Sequence, residues 1–568
     1  MWALDFGTTN SALARWDNVR RRPVLVELPN ITLRAEDEQP ETDEAHLRSP
    51  PVVPSSVEAY SRLGLWSQFG RWPPVQRVAF LGRQGLIGLE AENRQRAQAR
   101  PGFASGFKAD LATAPLRTVA RVGYNALSAR EAARLYLREL LAAAKEHTAE
   151  RIRELVVTSP VDAYESYRAE LSSALHGLGV SRVRFIDEPV AAALGYGLGL
   201  GKSRRVLVVD FGGGTLDVAY VGLDAKDMEQ GHCQVLGKAG RAIGGNDVDR
   251  WLAAELADRM DVRHTEEDFV SPKDDWSRRL LYEARRLKEK LFFEEEATVV
   301  TAPKDAMHHF EERMRGGSSA VSFGRDELVD LLDGKGVYSA LDACVDECLG
   351  YVEGEAPEVD EVLMVGGSTL LPQVYQRFET RFGRDTVRAW QPFEAVVQGA
   401  TIYAADKAQP SDFIIHDYAF VTHDLKTHKK QYAVVVPRGT RFPTQRDFWK
   451  STLVPTCSLG EPETMFKLVV CELGRSDGEG DTRFAWDRRG NLRVIGDDGP
   501  DDEGIVIVPL NETNPTLGFL RPPHPPDDKR PRLEVAFGVN AERWLCATVL
   551  DLKTRRYMLR EEPVVRLL

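Results

Sequence analysis

Two glycine-rich turns of similar sequence, far apart in the chain, constrain its fold more than any other feature. The first is Asp5-Phe6-Gly7-Thr8-Thr9-Asn10 and the second is Asp210-Phe211-Gly212-Gly213-Gly214-Thr215. Each turn follows a short apolar run that predicts a β-strand, and each is expected to close a β-hairpin. A repeat of this kind predicts a duplicated fold with one such hairpin in each half.

The residue types in these turns suit the binding of phosphate groups. Glycine and threonine let backbone N–H groups approach phosphate oxygens, because no bulky side chain stands in the way. The acid before each glycine, Asp5 or Asp210, is suited to hold a hydrated Mg²⁺. A third element, Val365-Gly366-Gly367-Ser368-Thr369, predicts a turn that admits the nucleoside. These elements match neither the Rossmann pattern G-x-G-x-x-G nor the Walker pattern ending in G-K-[ST].

Composition narrows the class of protein further. The 568 residues are 43% hydrophobic and 28% charged, which argues against a largely disordered chain and against a membrane protein. The net charge of −12 argues against a nucleic-acid partner, because such binding depends on neutralising phosphates. No run approaches the roughly 18 apolar residues of a membrane-spanning helix, and the start of the chain lacks the basic region of a signal peptide.

The six cysteines include no C-x-x-C pair, which indicates a reducing compartment and predicts a cytoplasmic protein. Cys344 and Cys348 lie four residues apart on a predicted helix. We expect them to be small core residues rather than a metal or redox pair, because no further ligand completes a site nearby.

Up to about residue 405, short apolar runs alternate with helical periods, which is typical of α/β architecture. The clearest helix is predicted at residues 129–147, where apolar residues form one stripe. Strands and helices then alternate from residue 155 to a helix that begins at Asp187-Glu188-Pro189. Two further strands, 205–210 and 217–221, flank the second glycine turn.

Beyond residue 410 short strands recur between glycine, proline and acidic turns, which predicts an all-β segment. The strands are predicted at residues 431–436, 466–471, 505–508 and 533–537, and the loops at 474–504 and 521–532. Within the last loop, Arg521-Pro-Pro-His-Pro-Pro526 predicts a stiff connector, with a polyproline docking segment as the alternative. The acidic stretch at residues 31–49 predicts a solvated loop rather than a metal site.

These motifs resemble the DnaK-type seventy-kilodalton heat-shock chaperone family, within the actin-like ATPase superfamily. Beyond the glycine turns, the resemblance rests on Thr158-Ser159-Pro160 leading to Tyr167-Arg168, on residues 187–197 and on Gly244-Gly245-Asn246-Asp247-Val248-Asp249. It is specific over residues 1–405 and looser over residues 410–568, where residues 435–443 carry it.

The resemblance implies a two-lobed actin-like (ribonuclease-H-like) α/β ATPase domain at residues 1–405 and an interdomain linker at 406–416. A β-sandwich-like substrate-binding domain would follow at residues 417–568, without the helical lid of the family. The trio Phe413-Ile414-Ile415 is apolar like the family's linker but lacks its leucine run, so it fits either the linker or a first strand.

The resemblance also implies roles for single residues. Lys108 matches the family's catalytic lysine, which would hold the attacking water and the γ-phosphate, and Glu188 would lie across from it. Taken alone, Lys108 would be a surface lysine and Glu188 a helix-start acid. Asp5 and Asp210 would hold Mg²⁺, and Asp217 would bind a monovalent cation such as K⁺ or orient the water.

The implied site residues form three groups. The catalytic residues would be Lys108, Glu188, Asp210, Asp217 and Thr215. The residues that bind ATP or ADP would be Gly7, Thr8, Thr9, Asn10, Gly212, Gly213, Gly214, Thr215, Gly244, Gly245, Lys288, Gly366, Gly367 and Ser368. Pro160 and Arg168 match the family's allosteric relay, although Pro160 would equally well end a strand.

The chain departs from the family where the base and ribose would bind. The family's glutamate, serine, arginine and second acid correspond here to Arg285, Phe292, Leu370 and Phe393, and Lys288 is retained. Loss of a stacked guanidinium and of ribose hydrogen bonds should cost about 2 to 4 kcal/mol. We therefore expect adenine nucleotides to bind more weakly than in the family, with base selectivity in doubt.

The leading interpretation is an ATP-dependent chaperone-like protein, in which slow ATP hydrolysis controls how the β-domain binds a protein or peptide client. Co-chaperones are further candidate partners. The alternative is a nucleotide-binding sensor or scaffold with little or no hydrolysis. A small-molecule kinase of the same superfamily gains no support from the β-rich tail. The sequence identifies neither the client nor the oligomeric state.

Overall fold

The computed structural model describes most of the chain. The described residues are 1–33, 51–60, 84–97, 102–122, 125–161, 165–197, 203–223, 232–270, 272, 275–301, 319–351, 358–389, 394–407, 409–423, 430–455, 461–475, 483–486, 492–495, 505–511, 515–540 and 543–567. Nearly all of the acidic stretch at 31–49, most of the predicted loop at 474–504 and Phe393 lie outside these residues.

The chain divides into two compact units. The first is Met1–Asp162 with Glu170–Pro410, and the second is Ala163–Ala169 with Ser411–Leu568. The strands up to this division are β1 (Trp2–Phe6), β2 (Asn10–Asp17), β3 (Arg22–Leu25), β4 (Val53–Pro54), β5 (Ser56–Ala59), β6 (Gly85–Ile87), β7 (Phe103–Ser105), β8 (Thr118–Val122), β9 (Asn125–Ser128), β10 (Glu154–Ser159), β11 (Arg182–Asp187), β12 (Arg204–Phe211), β13 (Leu216–Leu223), β14 (His232–Arg241), β15 (Glu296–Thr301), β16 (Ser319–Gly324), β17 (Glu361–Val365), β18 (Val387–Ala389) and β19 (Gln409–Ser411).

The helices lie between these strands, as the alternating pattern predicts. They are α1 (Gly88–Ala97), α2 (Phe107–Thr113), α3 (Ala129–Thr148), α4 (Glu165–Gly177), α5 (Glu188–Gly197), α6 (Gly245–Arg259), α7 (Glu266–Val270), α8 (Asp275–Leu291), α9 (Arg325–Gly334), α10 (Val337–Leu349), α11 (Val374–Phe382) and α12 (Ala395–Ala404), with a 3₁₀ turn at Gly367–Leu370. No helix in the described part of the chain is both long and apolar enough to cross a membrane.

Two sheets of the first unit repeat one topology. The first sheet has the order β11-β10-β1-β2-β3, with β4 also beside β2, and the second has the order β18-β17-β12-β13-β14-β19. In both, three antiparallel strands are extended by two parallel strands on the side of the first hairpin strand. The two predicted hairpins, β1–β2 and β12–β13, are therefore confirmed, and so is the duplication.

Helix α3 shows why the local predictions succeed. Ser128 and Glu131 form a capping box at its start, which satisfies backbone N–H groups that the helix leaves unpaired. The apolar stripe, including Leu137, Leu140 and Ala144, is buried. The helix predicted at residues 129–147 is found at Ala129–Thr148.

The second sheet and helices α6, α8 and α10 enclose an extensive apolar core in the first unit. Cys344 and Cys348 are fully buried in that core, among Tyr220, Leu341 and Val345. Neither Cys344 nor Cys348 forms a disulfide bond. The prediction that they are core residues is confirmed.

The second unit is built from strands in its described part, where no helix lies beyond residue 411. The strands are β20 (Asp417–His423), β21 (Lys430–Val436), β22 (Trp449–Leu453), β23 (Glu463–Leu468), β24 (Val470–Arg475), β25 (Arg483–Trp486), β26 (Leu492–Ile495), β27 (Ile505–Pro509), β28 (Thr516–His524), β29 (Leu533–Val539), β30 (Trp544–Asp551) and β31 (Arg556–Arg566). Two four-stranded sheets, β21-β20-β24-β27 and β22-β29-β30-β31, contribute to one apolar core.

Two local predictions for this unit are wrong. Residues 521–524 of the predicted connector belong to a strand, because β28 extends to His524 and Glu463 of β23 pairs with that residue. The single strand predicted at 466–471 is two strands, β23 and β24. Between them the Asn511 side chain accepts a hydrogen bond from the Val470 N–H and donates one to the Leu468 carbonyl, which satisfies the interrupted backbone.

The apolar trio at residues 413–415 forms no regular strand. Phe413 makes an isolated bridge with Arg441, and the Ile414 N–H donates to the Thr440 carbonyl at 2.9 Å. Ile414 is fully buried in the core of the second unit. Backbone pairing and apolar burial therefore attach this segment to the β-rich unit.

Candidate functional site

The two glycine turns lie against each other in the first unit. A Cβ atom added to Gly213 would lie 2.1 Å from Thr9 Oγ1, and one added to Gly214 would lie 2.7 Å from Thr8 Oγ1. The threonine hydroxyls of the first turn thus contact the backbone of the second, where any larger residue would collide. This close approach explains why glycine occupies the second turn.

The first turn is fixed by a serine from a neighbouring segment. Ser55 Oγ donates to the Gly7 carbonyl at 2.6 Å, and the Ser55 N–H donates to the Thr9 carbonyl at 2.7 Å. Because two of its carbonyls are bound, the turn is held in one conformation with its hydroxyls directed toward the second turn.

The second turn is fixed by the start of helix α6 and by the third glycine element. The N–H groups of Gly245 and Asn246 donate to the carbonyls of Gly212 and Gly213 at 3.1 and 2.7 Å. Ser368 Oγ donates to the Gly212 carbonyl at 2.7 Å. All three glycine elements of the sequence therefore meet at one place.

A cleft of about 390 Å³ opens at this meeting point. The sequence-predicted residues that line it are Asp5, Gly7, Thr8, Thr9, Asn10, Lys108, Glu188, Asp210, Gly212, Gly213, Thr215, Gly245, Lys288, Gly366, Gly367 and Ser368. Five predicted residues are not among its lining: Gly214, Gly244, Asp217, Pro160 and Arg168. Tertiary structure thus brings most of the predicted residues into one site.

Lys108 and Glu188 form an ion pair in this cleft. Lys108 Nζ lies 2.7 Å from Glu188 Oε1, and both side chains are buried. Lys108 comes from the first turn of α2, and Glu188 is the first residue of α5. A charged lysine that is buried without a carboxylate would be costly, so Glu188 stabilises the ammonium group in the cleft.

Asp5 is half-buried near the end of β1. Burial raises the pKa of its carboxyl to about 7, and the charge of Glu188 adds to the effect. The Lys108 ammonium and a 2.7 Å hydrogen bond from Thr158 Oγ1 oppose this rise in pKa. The positive charge around Asp5 is therefore too small to stabilise its carboxylate form fully.

The pKa values of Asp210 and Asp217, on the second hairpin, are raised in the same way as that of Asp5. Burial, followed by the charges of Glu188, Asp217 and Asp5, raises the pKa of Asp210 well above its ordinary value. Burial and the charge of Glu188 raise the pKa of Asp217 to about 8, although hydrogen bonds from Thr215 and from the Val161 N–H lower it. The Val161 N–H donates to Asp217 Oδ1 at 2.6 Å.

This crowding of carboxyl groups fits a cation. Asp217 Oδ2 is buried without a hydrogen-bond partner. Within the described ranges no three or more His, Cys, Asp and Glu side chains have the arrangement of a metal site. Mg²⁺ binds with few carboxylates and retains water and phosphate oxygens, so Asp5 and Asp210 fit a hydrated Mg²⁺ that is completed by a phosphate ligand.

Lys288 was predicted to bind the nucleotide, but its ammonium group is bound by protein groups in the cleft wall. Its ammonium is 2.7 Å from Asp249 Oδ1 and donates to the Gly245 carbonyl at 2.9 Å, which connects α8 to the start of α6. Asp249 ends the motif at residues 244–249, and no role was predicted for it. Asp249 lies four residues after Gly245, which places both residues on one face of the helix, and this spacing could have indicated its position at the site.

Residues that depart from the family pattern line the part of the cleft next to helix α8 and the 3₁₀ turn, which we call its far end. Arg285, Phe292 and Leu370 all line it, and Arg285 Nε donates to Glu289 Oε1 at 3.1 Å. Sequence reasoning missed the other lining residues, which are Ser11, Ala12, Val52, Asp249, Glu289, Phe293 and Val396. The two consecutive phenylalanines directly after helix α8 could have indicated an aromatic surface at the cleft.

The two relay residues lie elsewhere. Pro160 directly follows β10, so it does end a strand, and it precedes Val161, the residue that binds Asp217. Arg168 is buried in α4 and is grouped with the second unit. Their role as a relay stays a prediction.

The first unit contains two sheets of the same topology, and their hairpin turns meet beside buried carboxyl groups. These features define a class of duplicated α/β proteins with a glycine-lined cleft. The family model described as "Hsp70 protein" matches residues 80–460 of this chain. The chain therefore belongs to the Hsp70 family.

Curated relatives agree with this family. A protein named "Chaperone protein DnaK" from Thermosipho africanus is 28% identical over 356 residues, which cover 60% of this chain and 56% of that protein. The protein of the same name from Ureaplasma parvum serovar 3 is 25% identical over 562 residues, or 97% of this chain and 76% of the relative. The chain thus spans a little over half the length of the Thermosipho relative that it matches.

Proposed function

We propose that this chain is an ATP-dependent chaperone-like protein. Residues 1–405 form a two-lobed, actin-like ATPase domain, residues 406–416 a linker, and residues 417–568 a β-rich domain that binds protein or peptide segments. The observation that carries the proposal is the direct contact of the two glycine turns beside the buried Lys108–Glu188 pair.

The turns supply the groups that a nucleotide's phosphates require. Residues 7–10, Gly213 and Thr215 line the cleft, and their backbone N–H groups, with the hydroxyls of Thr8 and Thr9, are the donors that the phosphates would use. Donors that are fixed before the ligand arrives cost little to reorganise, and they stabilise the charge that develops during phosphoryl transfer. Mg²⁺, when bound with the nucleotide, neutralises part of the phosphate charge.

Hydrolysis would depend on the residues that place water. Lys108, paired with Glu188, would orient the attacking water and stabilise the γ-phosphate oxygens. Asp217, held by the Val161 N–H, would orient that water or bind a monovalent cation such as K⁺. Burial and the charge of Glu188 raise the pKa of Asp217 to about 8, so its carboxyl is mostly protonated near neutral pH unless a cation binds beside it.

Family membership supports the same proposal. Proteins of this family generally bind ATP or ADP with Mg²⁺, client proteins and co-chaperones, and the relatives carry the name "Chaperone protein DnaK". We extend these properties to this chain as part of the proposal.

A nucleotide sensor or scaffold without appreciable hydrolysis is the second candidate. It is favoured by Lys288, whose ammonium is bound to Asp249 and Gly245, and by the apolar residues at the far end of the cleft. A weaker grip on ribose and base would suit a protein that reports nucleotide state.

Titration of the purified chain with ATP and ADP in Mg²⁺ by calorimetry, followed by measurement of phosphate release, tests these functions. The chaperone proposal predicts binding, slow release of phosphate, and a changed rate when an unfolded peptide is added. Binding without phosphate release would favour the sensor. No binding of either nucleotide would refute both.

A further inference from the structure

Two consecutive aromatic residues stand at the far end of the cleft. Phe292 and Phe293 both line it, and their ring centroids are 6.2 Å apart in an edge-to-face arrangement. Phe293 is 76% exposed, and Leu370, which lines the same cleft, is 48% exposed. Exposed apolar side chains in this part of the cleft are suited to contact the apolar part of a ligand.

The turn that carries the two phenylalanines is held rigidly. Helix α8 ends at Leu291, and Arg325 donates to the carbonyls of Leu291 and Phe292 at 3.0 and 3.2 Å. The same guanidinium forms a 2.7 Å ion pair with Glu295. Because the backbone is held on both sides of Phe293, ligand binding there costs little backbone entropy.

Charged side chains near these rings are engaged with one another. Lys288 is bound to Asp249 and to the Gly245 carbonyl, and Arg285 is paired with Glu289 at 3.1 Å. Because the Lys288 ammonium and the Arg285 guanidinium are already paired, they are less available to form hydrogen bonds with the edge of a base. The aromatic faces are therefore the prominent recognition surface at this end.

We propose that Phe292 and Phe293 form the base-binding platform of the cleft and recognise the flat face of a purine by stacking. Stacking on aromatic side chains tolerates different bases, because every base presents a π-face. The cleft then binds adenine and guanine nucleotides with similar affinity. This inference rests on the proposed function, which places the phosphates at the glycine turns.

Calorimetric titration of the full chain with ADP, GDP, CDP and inorganic tripolyphosphate in Mg²⁺ tests the platform. We expect ADP and GDP to bind within about threefold of each other, because stacking dominates recognition. CDP should bind more weakly, because its single ring offers less stacking area.

Variants of the exposed ring make the test specific. Phe293→Ala should weaken ADP and GDP binding by roughly 5- to 150-fold and leave tripolyphosphate binding unchanged. Phe293→Trp should retain or strengthen binding of both nucleotides. Phe448→Ala removes another exposed phenylalanine, in the second unit, and should have no effect.

The outcomes distinguish failure of the base-binding platform from failure of the proposed function. A preference of more than about tenfold for ADP over GDP, or unchanged nucleotide binding by Phe293→Ala, would overturn the platform and leave the proposed function standing. Failure of every nucleotide and of tripolyphosphate to bind would overturn the proposed function, and the platform with it.

Discussion

Lys238 and Asp187 form an almost fully buried ion pair in which Nζ lies 2.8 Å from Oδ2. Lys238 lies on β14 of the second sheet, and Asp187 ends β11 of the first sheet. Because Glu188 is the next residue, this pair joins the two sheets directly beside the Lys108–Glu188 pair. A buried charge that loses its partner is costly, so the pair favours one relative position of the two sheets.

Removing the lysine alone should destabilise the first unit. Lys238→Met leaves the Asp187 carboxylate buried and should cost about 3 to 5 kcal/mol in the free energy of unfolding, measured by urea denaturation of the full chain. The double variant Lys238→Met with Asp187→Leu should recover much of that loss, because it removes both charges. A single variant as stable as the parent would contradict this role of the pair.

Lys108→Ala should abolish ATP turnover while ADP still binds. The ammonium group is expected to act on the water and the γ-phosphate, whereas the glycine turns provide the remaining phosphate contacts. Phosphate release and calorimetry measure the two effects separately. Lys145→Ala, a change at an exposed lysine of α3, is the control and should leave both unchanged. Turnover that persists in Lys108→Ala would favour the sensor.

Gly213→Ala should weaken nucleotide binding, because its Cβ would collide with Thr9 Oγ1 and separate the two turns. We expect a loss of at least about tenfold in ADP affinity, or roughly 1.4 kcal/mol. Gly334→Ala is the matched control, since a Cβ there meets nothing within 4 Å. Equal affinity of the two variants would show that the contact between the turns is unimportant for binding.

Leu370→Arg should tighten ADP binding. Leu370 is 48% exposed at the cleft, so an arginine fits there and its guanidinium can stack on the base. A cation–π contact of about 0.5 to 1 kcal/mol corresponds to a gain of roughly two- to fivefold in affinity. Leu517→Arg adds the same charge at a leucine of similar exposure in the second unit. Unchanged calorimetric affinity in Leu370→Arg would refute the placement of the base beside it.

The second unit should lose stability in acid through Asp551. Burial favours the protonated form, but bonds from Arg532 and from the N–H groups of Lys553 and Thr554 outweigh it and hold the pKa below its usual 3.8. A lowered pKa in the folded state stabilises the protein above pH 3.8, and this contribution disappears as the pH falls. Asp551→Asn should therefore be less stable than the parent at pH 5, and the difference should shrink by pH 3. Urea denaturation at both pH values measures it, and a difference independent of pH would contradict it.

Local sequence patterns predicted much of this fold. The glycine turns predicted the hairpins β1–β2 and β12–β13, and the apolar stripe predicted α3, because turn chemistry and helical periodicity act between near neighbours. The prediction failed at residues 521–526, where proline-rich composition suggested a connector. Pairing with Glu463 of β23 makes this segment a strand up to His524, and that pairing has no local signature.

Residue types and their spacing already indicate which side chains have the chemistry for phosphate and cation binding, because glycine, threonine and aspartate act through properties that each residue carries in any context. Tertiary structure alone decided which of them meet. It paired Lys108 with Glu188, Lys238 with Asp187 and Lys288 with Asp249, and it left Phe293 exposed at the cleft. These relationships join residues distant in the chain, and their energies arise when folding removes both partners from water, which no local pattern encodes.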